Sequence, residues 1–245
     1  MPFGFNFKQE FIPDVFKDLT REDLNLTFLH QYNAFVDEKL VIPIAYAKNA
    51  RNFRMIFEKR IQDILKFSFL KAKHKSPLKK FCIFSHLWIK AYKYKDFSVL
   101  KNVFFTPKMP VARMIQMLYQ NEELIFNARE FFINYVYEKI AKQNPKRQLE
   151  LKDNFLLIDG HFAVLIYAKN CDINQKSNFA LEVNQALKMI QNQEFSRFYI
   201  IFPKNKNFKR HIEIKHFLSE KNKTMLKLVP YSITNKLKGE IKQCQ

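Results

Sequence analysis

A mixed fold, α+β or α/β, is what this sequence predicts. A helical part covers residues 1–145, and a small mixed sheet with helices covers residues 146–245, as two domains or one continuous domain. Three observations carry the expectation. Apolar residues recur at helical spacing through the first part. After Pro145 the texture changes to short β-rich runs, two of them joined by the tight-turn dipeptide Asp159-Gly160. The 245 residues are 47% hydrophobic and include 27 Phe, enough to bury a substantial core.

The elements follow in order. Thr20 precedes Glu22 and Asp23, an N-cap with acid in the first turn, where exposed backbone donors favour it. Over residues 49–70, Phe53, Ile56, Phe57, Ile61, Ile64, Leu65 and Phe69 fall near one helical face. Ser76-Pro77 starts a helix over residues 78–94, with proline tolerated in the first turn. Pro107 and Pro110 break the chain, and helices over residues 111–120 and 122–142 follow before Asn144-Pro145.

Residues 148–158 read as one strand, and residues 161–169 as a second, buried one. Phe179, Val183, Ala186, Leu187 and Ile190 mark a helix over residues 178–192. A strand over residues 197–202, a helix over 208–218 and a last strand over 225–229 complete the order. Strand, helix, strand implies a crossover helix between neighbouring strands.

Composition excludes several function classes. With only Gly4, Gly160 and Gly239 the chain has no glycine-rich phosphate loop. Cys82, Cys171 and Cys244 form no C-x-x-C pair, which fits reduced thiols in the cytoplasm better than a disulfide framework or zinc ribbon. Cys171 follows a strand with Lys169 nearby, an arrangement able to lower a thiol pKa, but no base stands beside it. The six histidines show no zinc-ligand spacing. Neither a secretory leader nor an 18-residue apolar run is present. The abundance of Lys, Phe, Asn and Ile resembles an AT-rich bacterial genome.

Charge points to the partner. Lys and Arg number 42 against 23 Asp and Glu, a formal charge of +19. Such a surplus marks a nucleic-acid or anionic-membrane partner. It is densest over residues 66–108, at Lys66, Lys71, Lys73, Lys75, Lys79, Lys80, Lys90, Lys93, Lys95, Lys101 and Lys108, where Asp96 is the only acid. Trp88 and other aromatics are interleaved with them. Lysines neutralise phosphates and exposed aromatics stack on unpaired bases. A second basic group, Lys204, Lys206, Lys209, Arg210 and Lys215, follows the strand ending near Pro203, and strand ends are common ligand positions in α/β sheets.

The segment from Gln148 to Phe202 combines an apolar strand ending in Asp159, a turn, a strand ending Tyr167-Ala168-Lys169, a helix and a further strand. This order resembles the core of the PD-(D/E)XK nucleases. The resemblance implies a Mg²⁺-dependent phosphodiesterase in which Asp159 is the first metal-binding acid and Lys169 assists the attacking water. Tyr167 stands where the second acid belongs, and a phenol is a poor Mg²⁺ ligand. Glu182, in the following helix, is the substitute acid, with Gln185 near the same face. The functional expectation is a nucleic-acid-binding protein, DNA or RNA, that cleaves with Mg²⁺ or binds as a non-catalytic accessory factor. A further alternative is an interaction protein for an acidic protein or an anionic membrane.

Overall fold

A computed structural model describes residues 1–6, 9–71, 123–215 and 224–233, with the isolated positions 94, 96, 98, 114 and 118. Apart from Tyr94, Met114 and Leu118, the expected helices over residues 78–94 and 111–120 lie outside the described residues. So do Lys73, Lys75, Lys79, Lys80, Trp88, Lys90, Lys93 and Lys95. Lys71 closes a helix. The chain forms helices and mixed sheets, an α+β fold, and divides into two compact units.

One unit comprises Pro2–Ile12 and Leu19–Phe126. Its three-stranded sheet has the order β2-β1-β3, with β1 at Pro2–Asn6, β2 at Glu10–Phe11 and β3 at Glu123–Asn127. Three helices follow β2: α1 (Arg21–Phe35), α2 (Ala45–Lys48) and α3 (Phe53–Lys71). Thr20 caps α1 as expected, its Oγ1 accepting from the Asp23 N–H at 3.2 Å. Phe53, Ile56, Phe57 and Ile61 of α3 are buried. Phe28 stacks on Phe53 at 4.3 Å, and Phe3 meets Phe53 edge-on at 5.4 Å. Much of the phenylalanine here is therefore core. Gly4 has φ 150°, and a Cβ there would stand 2.0 Å from the Leu124 carbonyl oxygen, so β1 and β3 approach closely only because this position lacks a side chain.

The sheet is a departure from the mostly helical expectation. The segment from Glu122 was expected to be helical, yet it opens as β3 before α4 (Ala128–Gln143). Asn127 divides the two elements. Its Oδ1 accepts from the Arg129 N–H at 3.1 Å, which fixes the helix start there.

The other unit comprises Met1, Pro13–Asp18 and Asn127–Gln245, so α4 belongs with the C-terminal sheet. The strands are β4 (Leu149–Lys152), β5 (Phe155–Ile158), β6 (Phe162–Ile166), β7 (Arg197–Pro203), β8 (Ile212–Ile214) and β9 (Met225–Tyr231). Their order is β4-β5-β6-β7-β9-β8. β4, β5 and β6 form an antiparallel meander, β6, β7 and β9 run parallel, and β8 closes the edge antiparallel. Helix α5 (Ala180–Asn192) crosses over between β6 and β7.

Two expectations need correction. Residues 148–158 are a hairpin, with Lys152 paired to Phe155 across Asp153-Asn154, and Asp153 sits at φ 54°. Residues expected to be helical near 208–218 include β8, where Ile212 pairs with Leu228 and Ile214 with Leu226 around the exposed Glu213. Alternation of that kind is a strand pattern. The Asp159-Gly160 turn forms as read, at φ 51° and 74°, matching a type I′ turn. The core packs Ala163, Leu165, Phe198, Ile200, Phe202, Leu226 and Leu228 of the sheet with Ala186 and Ile190 of α5.

Candidate functional site

Because β6, β7 and β9 are parallel, their carboxyl ends lie on one side of the sheet, where the crossover helix also begins. Tyr167 and Lys169 leave the end of β6, and Glu182 and Gln185 occupy the first turns of α5. The β4–β5 turn also reaches this side, since Phe155 pairs with Leu165 and the Ile166 N–H donates to the Asn154 carbonyl at 2.8 Å.

Two side-chain pairs result. Lys169 Nζ lies 2.6 Å from Glu182 Oε1 and donates to the Asn178 carbonyl at 2.7 Å. Tyr167 Oη donates to Gln185 Oε1 at 2.6 Å, and the Asn154 side chain also bonds the phenol. Glu182 is 8% exposed, in line with Ala186 and Ile190 on the buried stripe of α5. Its second oxygen, Oε2, is buried with no hydrogen-bond donor. Burial, and secondarily the Glu182 charge, raise the Tyr167 pKa, keeping the phenol neutral; the Asn154 hydrogen bond and the Arg129 charge oppose the shift.

Asp159 is not brought to this place. It sits in the β5–β6 turn, where Ile158 pairs with Phe162, at the opposite end of β6 from Lys169. Its carboxylate accepts from the Gln148 N–H at 3.0 Å and lies 3.4 Å from Arg147. The four steps of β6 from Phe162 to Ile166 alone span about 13 Å at ~3.3 Å each. Two ligands of one Mg²⁺ stand within ~4 Å of each other. Asp159 and Glu182 therefore cannot share an ion, and Asp159 serves the turn. Asn154 is the residue that faces the end of β6, and its signal in the sequence is the Asp153-Asn154 turn that interrupts residues 148–158.

The donor set does not fit the Mg²⁺ that the nuclease resemblance implies. Such a site needs oxygen ligands in octahedral geometry, including one or two carboxylates. Among the described residues no three His, Cys, Asp or Glu side chains converge on a metal position. Glu182, the acid beside Lys169, is already engaged by an ammonium. Cys171 is buried and free, and burial pushes its thiol up to about 11 despite Lys169, so desolvation outweighs the nearby charge.

Of the second basic group, Lys215 is exposed but follows β8, which runs antiparallel to β9, and so stands at the opposite end of the sheet. Lys204, Lys206, Lys209 and Arg210 are exposed in the loop after β7, at the same end as Lys169. Their loop is tied to the segment after Lys169: Asn205 Nδ2 donates to the Cys171 carbonyl at 3.0 Å, and Asn207 Nδ2 to Asp172 Oδ2 at 3.1 Å. No helix among the described residues is long and apolar enough to cross a membrane.

No protein-family model matches the chain, and no curated protein does. Among solved structures it is similar to a chain in the refined half-complex from the tetradecameric assembly of Thermococcus gammatolerans McrB AAA+ hexamers with bound McrC. The TM-score is 0.52 at 12% identity, over 99% of this chain and 81% of that one. At that identity the likeness is one of fold alone, and it extends over both units.

Proposed function

We propose that this chain is a nucleic-acid-binding protein that grips phosphates with a basic loop, on a PD-(D/E)XK-like core without metal-dependent cleavage. The observation that carries the binding is the loop after β7. Lys204, Lys206, Lys209 and Arg210 are exposed within seven residues that include no acid, at the end of the sheet that holds Lys169 and Glu182. Phosphate neutralisation by such a group gives affinity without base reading. The non-catalytic version is favoured by Tyr167 at the second acidic position and by Glu182 being already paired to lysine.

The test is a salt titration of binding to labelled single- and double-stranded DNA and RNA, with and without Mg²⁺, followed on a gel for cleavage. Binding falls steeply with salt and the substrate stays intact. Replacing Lys204, Lys206, Lys209 and Arg210 by Ala reduces the log–log salt slope by about 3, at ~0.7–0.9 per phosphate contact. An unchanged slope sinks the loop assignment, and no binding at low salt sinks the nucleic-acid reading. Mg²⁺-dependent product that disappears in Glu182→Gln restores the nuclease version.

A second reading concerns assembly. The similar solved chain comes from a complex of AAA+ hexamers with bound McrC, which favours a protein partner for this chain too. Light scattering of the chain mixed with a candidate AAA+ ATPase, with and without nucleotide, measures this directly. A persistent sum of separate masses rejects that partner.

A further inference from the structure

Glu182 poses a physical problem that its surroundings solve in an unusual way. A carboxylate that is 8% exposed in the first turn of α5 is costly unless a cation stands beside it. The cation is Lys169. Its Nζ contacts Glu182 Oε1 at 2.6 Å and the main-chain carbonyl of Asn178 at 2.7 Å. One positive centre thus bridges a carboxylate and a backbone carbonyl, the kind of oxygen donors that a hard divalent cation takes. Glu182 Oε2 has no donor of its own, and Gln185, three residues along α5, adds a neutral side-chain oxygen, the Oε1 that accepts from Tyr167.

We propose that the Lys169 ammonium is the resident cation of this site, standing in for the divalent metal of the resembled nucleases, and that its charge keeps divalent cations out. A divalent ion at Glu182 would meet an ammonium already bound to the same carboxylate, and their repulsion opposes it. Neutralising Lys169 leaves a buried anion with an unsatisfied oxygen and releases the Asn178 carbonyl that shared the ammonium. That is the beginning of a cation site.

The experiment uses the full chain and Mn²⁺ alone, with no nucleic acid, so its failure is separable from failure of the binding reading. Thermal unfolding is followed in chelator and in increasing Mn²⁺ for the unsubstituted chain, Lys169→Gln, and Lys169→Gln combined with Glu182→Gln. The unsubstituted chain shows no Mn²⁺-dependent shift. Lys169→Gln melts several degrees lower in chelator and regains most of the loss in Mn²⁺. The double variant does not respond to Mn²⁺. If Lys169→Gln does not fold in chelator, Mn²⁺ must restore its helical circular dichroism and must not do so for the double variant. A Lys169→Gln protein as indifferent to Mn²⁺ as the unsubstituted chain overturns the proposal. So does a saturable Mn²⁺ signal in the unsubstituted chain that Glu182→Gln abolishes, read by electron paramagnetic resonance.

Discussion

Lys169 and Glu182 are unequal partners, and their substitutions separate them. The lysine side chain is 39% exposed and the glutamate side chain 10%. Lys169→Ala leaves a buried charge unpaired, an error of 3–5 kcal/mol in a fully buried pair; solvent at the lysine end discounts that to about 1–3 kcal/mol. Glu182→Leu frees an ammonium that can turn to water and extends the apolar stripe of Ala186 and Ile190, so it is near neutral. Urea unfolding of both variants checks this, and equal losses would count against the burial asymmetry. Cys171 gives a second outcome at this scale. Its folded pKa, about 11 against an ordinary 9.0, means that the unfolded thiol ionises first. Its contribution is present below about pH 9 and is lost as pH rises toward 11, because the folded state holds the proton longer. At pH 8, iodoacetamide leaves the Cys171 peptide unmodified in the folded protein and alkylates it in urea. Alkylation at the rate of a free thiol would contradict the burial.

Among elements, the two described glycines with positive φ respond differently. Gly4→Ala drives a Cβ into the Leu124 carbonyl, and the β1–β3 contact must open, at a cost above about 3 kcal/mol. Gly160 faces open space at φ 74°, so Gly160→Ala pays only the backbone term, about 1–2 kcal/mol. Melting temperatures of the two variants report the difference. Legibility from sequence divided along the same physical line, local against long-range. The Thr20 cap, the α3 stripe, the Asp159-Gly160 turn, α5, β7 and β9 are set by neighbours in sequence and could be read. β1 and β3 could not be. β3 pairs with β1 from the other end of this unit's sequence, the near neighbour of β1 is the two-residue β2, and the Phe of β1 serves helix and strand alike. The candidate site was half legible. Lys169 and Glu182 meet, the glutamate being named for its place in the helix after β6. Asp159 was misplaced because two adjacent turns, Asp153-Asn154 and Asp159-Gly160, lie at opposite ends of β5 and only one was counted.

Across the whole molecule, the +19 charge and the folded units make separate demands. The charge sets partners and salt dependence, while the units set what can be cut away. Residues 146–245, the fragment that the sequence suggests, omit α4, whose Tyr135 donates to the Ile233 carbonyl at 2.6 Å. Residues 127–245 still omit Pro13–Asp18. That segment supplies buried Val15 and Phe16, the latter edge-on to Phe131 at 6.1 Å, and the Asp14 carbonyl that accepts from Asn170 at 2.7 Å. The 127–245 fragment is expected to melt at lower temperature than this unit does in the full chain, and a peptide of residues 13–18 to raise that temperature. No change on adding the peptide would mean that the segment contributes little.

The same arrangement bears on how the chain is made. Pro13–Asp18 is made more than a hundred residues before Asn127, where the bulk of its unit begins. At roughly 5–20 residues per second, Phe16 waits about 5–20 s before even α4 begins to be synthesised, and longer for the sheet. For that interval it is an exposed apolar residue on a nascent chain, a natural point of capture for chaperones.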